Sequence, residues 1–251
     1  MTTSPDFTLV AVHGNGGGAF RFARMAPYVP ADVHFQAVTL PGFARVPRDP
    51  RLQTLRDYAD HLHTLIAGLP EPRILLGTGI GGSIVLEYGQ HYPADGLILH
   101  APVGTRVDTR LFPRLMKLPG MRTLGKWVFS ARPFRPIWRR LLFTGPIPDA
   151  YARQFFDEYR HCQVFGQMFD IITADWFAGL RPLPMPAALL WGEKERVLSV
   201  DQLADYKAIL PHHLVHTVPE WDHFPMIEQP ADFTRVVVAL ARDLLAARPA
   251  A

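Results

Sequence analysis

Cysteine is almost missing from the chain: there is one, Cys162, so no disulfide can close within it. A single thiol suits a reducing compartment. Long apolar runs are missing too, and none approaches the roughly 18 residues that a membrane helix needs. No stable membrane insertion is therefore expected. The opening Met1-Thr-Thr-Ser-Pro-Asp6 has neither the basic nor the apolar region of a secretory leader, so a cytoplasmic location is the expectation. Net charge is small, +3 over 251 residues, and no nucleic-acid-binding motif accompanies the basic stretches. Nucleic acid is not an expected partner. No Gly-Lys-Ser/Thr follows the glycine-rich stretches, which rules out a phosphate loop. The histidines and acids imply no metal site, and no cofactor is called for. There is no internal repeat and no low-complexity segment.

What the chain does have is an alternation of short apolar runs with amphipathic stretches. Its 48% apolar and 20% charged composition is that of a globular protein with one sizeable core. Phe7 to His13 is a β-prone run ending at Gly14, followed by an expected helix from about Ala19 to Tyr28. Val33 to Thr39 is a second strand, closed by Leu40-Pro41-Gly42-Phe43. Leu55, Tyr58, Ala59, Leu62, Leu65 and Ile66 recur at three- and four-residue steps, the pattern of an amphipathic helix stopped by Gly68 and Pro70. Ile74 to Leu76 then runs into Gly77, Gly79, Gly81 and Gly82, with a helix-like run from Ile84 to Tyr88 beyond. Gly96 to Ala101 reads as a fourth strand. Strands and helices at this spacing imply right-handed βαβ units in a parallel sheet.

From about Val103 to Leu180 the alternation stops, and the stretch is too long for a plain connection. Phe155, Cys162, Phe165, Phe169, Ile172 and Trp176 are spaced by sevens, threes and fours, so it contains at least one amphipathic helix. An inserted helical cap over the sheet's carboxyl edge is the economical reading. The expected division is a core of residues 1–103 and 181–251 with a cap of 104–180. Beyond the insertion come a strand at Ala187 to Trp191, a helix near Val200 to Leu210, a strand at His213 to Val218 and a helix from about Ala231 to Ala246.

Four separated stretches together resemble the α/β-hydrolase fold family, of the single-cap kind. They are His13-Gly14-Asn15-Gly16-Gly17, Gly77-Thr78-Gly79-Ile80-Gly81-Gly82, Trp191-Gly192-Glu193-Lys194-Glu195 and Trp221-Asp222-His223-Phe224-Pro225, in the family's order and spanning nearly the whole chain. The resemblance implies a mostly parallel sheet flanked by helices. The stretch before the first strand is too short for two further leading strands, so about six strands are expected. It also implies a chain order of nucleophile, acid and histidine. The histidine maps to His223, as general base and acid. The acid maps to Glu195, where the family pattern Trp-Gly-x-x-Asp would have aspartate; Glu193 and Asp222 are rivals. The oxyanion donors map to the backbone N–H groups of Asn15 and Ile80.

The departure from the family is at the elbow, where G-x-S-x-G would place serine at position 79 and this chain has glycine. Glycine adopts the positive-φ turn without strain but cannot form an acyl-enzyme. Thr78 and Ser83 are poor substitutes by position. Three readings stay open. His223 acts directly on water or on an acidic C–H or O–H, giving hydrolysis without a covalent intermediate, or a lyase or isomerase step. Or Gly79 replaces the serine of an ordinary ester, thioester or C–C bond hydrolase. Or the site only binds a ligand.

The expected substrate is a small, fairly apolar carbonyl compound. Candidate contacts to it are Gly14 and Gly16 in the first loop, His100 at the end of its strand, and Phe224 beside His223. Trp127, Phe165 and Phe169 are candidates from the cap. Between Thr105 and Arg140 stand ten basic residues (Arg106, Arg110, Arg114, Lys117, Arg122, Lys126, Arg132, Arg135, Arg139, Arg140) against one acid, Asp108. They form either a solvated helical face or a landing surface for an anionic partner: a carboxylate, a coenzyme-A or carrier-protein phosphate, or a membrane surface. A monomer or a homodimer is expected.

Overall fold

In the computed structural model, which describes residues 5–107 and 111–247, six parallel strands form one sheet. They are β1 (Phe7–Val12), β2 (Val33–Val38), β3 (Arg73–Thr78), β4 (Gly96–His100), β5 (Ala187–Gly192) and β6 (His213–Val218), in the order β2-β1-β3-β4-β5-β6. The chain steps from β1 to β2 on one side and returns to place β3 on the other. The strand order therefore reverses at the β1/β3 boundary, the crevice where open α/β sheets bind ligands beyond the strands' carboxyl ends. The register sets those ends side by side: Val12 pairs with Gly77, Thr78 with His100, and Gly192 with Val218.

Strand alternation feeds two cores. Val10, Val12, Leu75, Leu97 and Leu99 bury on the face shared with α1 (Leu55–Ile66) and α2 (Ile80–His91). Leu9, Ala11, Ile74, Leu76 and Ile98 bury on the face covered by the last helix (Pro230–Ala246) through Phe233, Val237, Leu240, Ala241 and Leu244. With both faces covered, the inner strands read as continuous apolar runs. Helix α1 starts where the sequence says it should: the Thr54 hydroxyl accepts from Asp57 N–H at 3.1 Å, and the Asp57 carboxylate accepts from Thr54 N–H at 2.8 Å.

Two expected helices differ. Ala19 to Tyr28 forms two short 3₁₀ turns, Ala19–Phe22 and Ala26–Tyr28, rather than one helix. Pro27 offers no N–H to continue an α-helical ladder; the Thr39 hydroxyl meets Ala19 N–H at 2.8 Å, a donor that any helix start leaves open. Val200 to Leu210 is a 3₁₀ segment, Val200–Tyr206, ending before Pro211.

Between β4 and β5 lie α3 (Leu111–Met116), α4 (Met121–Ser130), α5 (Arg135–Leu142), α6 (Asp149–His161), α7 (Met168–Ile171) and α8 (Ala174–Ala178). Of the basic residues there, Arg106 pairs with Asp201 and Asp205, Arg122 with Asp170, and Arg139 with Asp149. Asp108 and Arg110 lie outside the described residues, as does the end of the chain from Arg248. Cys162 is buried, and burial pushes its thiol up to about 11. No helix among the described residues is long and apolar enough to cross a membrane.

Candidate active site

The loops leaving the carboxyl ends of β1, β3, β5 and β6 carry most of the residues singled out by the sequence. After β1, His13 is fully buried. Its Nε2 accepts from Leu40 N–H at 3.2 Å, so Nδ1 carries the proton and donates to Gly14 O at 2.9 Å. Burial lowers this imidazole to about 4, which keeps it neutral. The chain then turns tightly, with Gly17 N–H on Gly14 O at 3.2 Å and Gly16 at φ 73°. The Tyr159 ring of α6 lies against Gly16, at 2.1 Å from where a side chain would begin. Asn15 Nδ2 donates to Phe165 O at 3.2 Å, and this ties the loop to the inserted helices.

After β3 the backbone makes a sharp strand-to-helix turn at Gly79, with φ 55° and ψ −119°. Its N–H donates to His100 O at 3.1 Å, and its carbonyl accepts from Gly82 N–H and Val103 N–H at 3.0 and 3.1 Å. The turn is tight because its flanks have no side chains. A methyl group on Gly81 would stand 2.3 Å from Val12 O, and one on Gly77 would stand 2.5 Å from Gly81 O. Gly79 itself is open: a methyl there would meet only Gly14 Cα, at 3.7 Å, an ordinary contact. Ile80 opens α2, so its N–H is one of the first-turn donors that helix geometry leaves without an intrahelical acceptor. Thr78 is buried, and the Ser83 hydroxyl donates to Val103 O.

The third and fourth loops are stitched together. Glu193 N–H donates to Val218 O and Lys194 N–H to Trp221 O, both at 3.0 Å. Within this frame His223 Nδ1 lies 2.7 Å from Glu195 Oε2. The other carboxylate oxygen accepts from Val197 N–H at 2.6 Å and Leu198 N–H at 2.9 Å. Burial pushes the Glu195 carboxyl up. The His223 ring and these N–H donors outweigh that effect and hold it below the ordinary carboxylate range. An ionised Glu195 keeps the proton on Nδ1 and leaves the Nε2 lone pair free to act as a base.

The rival acids are engaged elsewhere. Asp222 accepts from Arg196 Nε at 2.5 Å and from His223 N–H at 2.8 Å, while the exposed Glu193 takes the Thr217 hydroxyl at 3.1 Å. His100, at the end of β4, packs edge-on against Trp221 and Phe233, with its buried Nε2 lacking a partner among the described residues. Burial lowers it to about 3, with the Glu195 charge opposing and His223 adding to the shift.

Phe224 packs edge-on to the His223 ring at 4.5 Å and reaches Phe143 and Phe155. Phe165 joins Tyr159 and Phe169 at 6.0 and 5.4 Å. Trp127 stands apart from them, 58% exposed on α4 and edge-on to Phe134.

One cluster had no signal in the sequence. Arg21 is buried, donates through Nε to Glu158 Oε2 at 3.1 Å, and lies 3.5 Å over the Phe155 ring. Its partner is 137 positions away, and neither residue sits in a recognisable pattern. Among the described residues no group of three His, Cys, Asp or Glu is poised for a metal. His212 and His216 are four apart, but extended chain such as β6 separates such positions by roughly 13 Å.

A parallel sheet with reversed strand order, a glycine turn into a helix, and a histidine and acid on the last two loops define an α/β-hydrolase architecture. The sequence profile of the alpha/beta hydrolase family matches residues 9–236, and the chain belongs to that family. It is 22% identical to a pimeloyl-[acyl-carrier protein] methyl ester esterase of Aromatoleum aromaticum, over 95% of this chain and 98% of that one. It is 20% identical to the monoacylglycerol lipase ABHD6 of Bos taurus, over 92% of this chain and 74% of that one. In fold it is similar to an epoxide hydrolase variant from Bacillus megaterium in complex with its product, with a TM-score of 0.77 at 14% identity, covering 96% and 95% of the two chains. Its relatives are hydrolases of differing substrates, so the family alone does not choose a substrate.

Proposed function

We propose that this chain is a cofactor-free enzyme that hydrolyses a small, fairly apolar carbonyl compound, without a covalent intermediate. Gly79 occupies the nucleophile position, so no side chain there can take an acyl group. His223 Nε2 removes a proton from water as the water attacks the carbonyl carbon. Glu195 orients the ring through Nδ1 and stabilises the imidazolium that forms. The N–H groups of Asn15 and Ile80 receive the developing oxyanion; such donors lose no strength with the serine, because they are main chain. The imidazolium then returns its proton to the leaving group. The helices between β4 and β5 serve as the cap.

The observation that carries this reading is the 2.7 Å contact between His223 and a buried Glu195 whose other oxygen is held by two backbone N–H groups. A merely packed loop histidine has no need of such an arrangement. The test is steady-state and burst kinetics on aryl esters with the native chain, His223→Ala and Gly79→Ser. The reading expects slow turnover without a burst in the native chain, loss of it in His223→Ala, and an acyl burst in Gly79→Ser. Native turnover that survives His223→Ala removes the base and the proposal with it. A chain that binds but never hydrolyses esters would point the same base at an acidic C–H of a carbonyl compound.

A further inference from the structure

Among the described residues eleven large apolar side chains stand exposed, and six of these fall within 111–141: Leu111, Leu118, Leu124, Trp127, Ile137 and Leu141, each 49–72% exposed. Their arrangement is not scattered. Leu124 and Trp127 are three apart on α4, and Ile137 and Leu141 are four apart on α5, so each pair shares a helix face. The inward faces are already satisfied, since Phe129 packs on Trp138, Phe156 and Tyr159. Trp127 meets Phe134 at 5.9 Å, which links the outer stripe of α4 to the turn leading into α5. Folding of the chain therefore does not require this stripe, and a concentrated apolar stripe marks an interaction surface.

Charge says what covers it. Arg114, Arg132 and Arg140 are exposed and form no ion pair with a described residue, whereas Arg106, Arg122 and Arg139 are matched by acids from outside the stretch. A second copy of the chain would press positive charge on positive charge. An acidic protein would need an apolar patch of its own, matched in shape to this stripe, beside the acids that meet the arginines. An anionic lipid surface accounts for both: apolar side chains enter the headgroup boundary while guanidinium groups stay at the level of the phosphates. We propose that the outer face of α4 and α5 docks on the surface of an anionic lipid bilayer. This goes beyond the proposed reaction and does not depend on it.

The experiment is co-sedimentation of the full chain with vesicles of phosphatidylcholine alone, or of phosphatidylcholine and phosphatidylglycerol in equal parts. The expected result is partition onto the anionic vesicles that weakens as salt is raised. Ile137→Glu with Leu141→Glu, at exposed positions, should lower that partition by more than about tenfold at an unchanged melting temperature. Arg132→Glu with Arg140→Glu, a second and independent pair, should lower it on anionic vesicles too. Equal partition onto both vesicles, partition onto neither, or partition indifferent to both pairs overturns the proposal. Capture of an acidic protein without any vesicle binding would overturn it as well, and would give the face to a protein partner.

Discussion

Gly79 and its neighbours hold their geometry through main chain alone, whereas His223 holds its place through a side-chain contact with Glu195. At the elbow, Gly77 and Gly81 are each set by a backbone atom they must approach, as Gly81 approaches Val12 O. At the other half, two loops 28 positions apart are aligned so that one carboxylate meets one ring. The first half is therefore sensitive to added atoms, and the second to lost ones. A chain can exchange the residue at the elbow apex and keep the turn, but it cannot lose the carboxylate or the imidazole and keep the pair.

Five substitutions test this contrast. The largest effect is expected for His223→Ala, which should lower kcat/KM on any substrate turned over by about 10³; a fall of less than about tenfold would mean the ring is not the base. Gly81→Ala should destabilise by about 3 kcal/mol, since its methyl collides with a carbonyl that cannot move aside; urea unfolding reads this directly. Glu195→Gln keeps the shape but removes the charge, and kcat should drop about 10² with little change in KM. In Gly79→Ser the added side chain has room, so the cost should be only the positive φ, about 1–2 kcal/mol. A much larger loss in Gly79→Ser would show that the turn does not tolerate a side chain.

The smallest effect concerns pH. His13 and His100 are lowered by burial to about 4 and about 3. The unfolded chain therefore takes up these protons first. Their contribution to stability is whole above about 6.5 and is lost as pH falls toward the folded values. Each histidine adds up to about 1.4 kcal/mol per pH unit in that window. His100→Leu should flatten the acid limb of stability measured by urea unfolding between neutral and mildly acidic pH. An unchanged slope would mean that His100 is not kept neutral.

Legibility in the sequence follows the range of the forces involved. Helix α1 was readable because its amphipathic period is a local fact, and the Thr54–Asp57 cap that the structure adds lies within the same few residues. The strands were readable to within a residue or two, because buried parallel strands are short apolar runs between turn residues. The 3₁₀ turns after Gly18 were not, since their surroundings, such as the Thr39 hydroxyl on Ala19 N–H, lie 20 positions on. The Arg21–Glu158 contact was invisible for the same reason, and so was the exposure of Trp127. A tryptophan on an amphipathic helix reads as core until the packing of Phe129 shows which face turned inward.

The order of strands and helices, and the glycine at the elbow apex, were decided by the sequence alone. Both rest on backbone preference and on hydrophobic period, which act over a few residues at a time. Which carboxylate meets His223 was decided only by the tertiary structure. The resemblance maps the acid to Glu195 but leaves Glu193 and Asp222 as rivals, and the folded loops separate the three by committing Asp222 to Arg196 and Glu193 to Thr217. The outward stripe of α4 and α5 belongs to that second kind as well, because a helix has a face only when something else has packed against the other one.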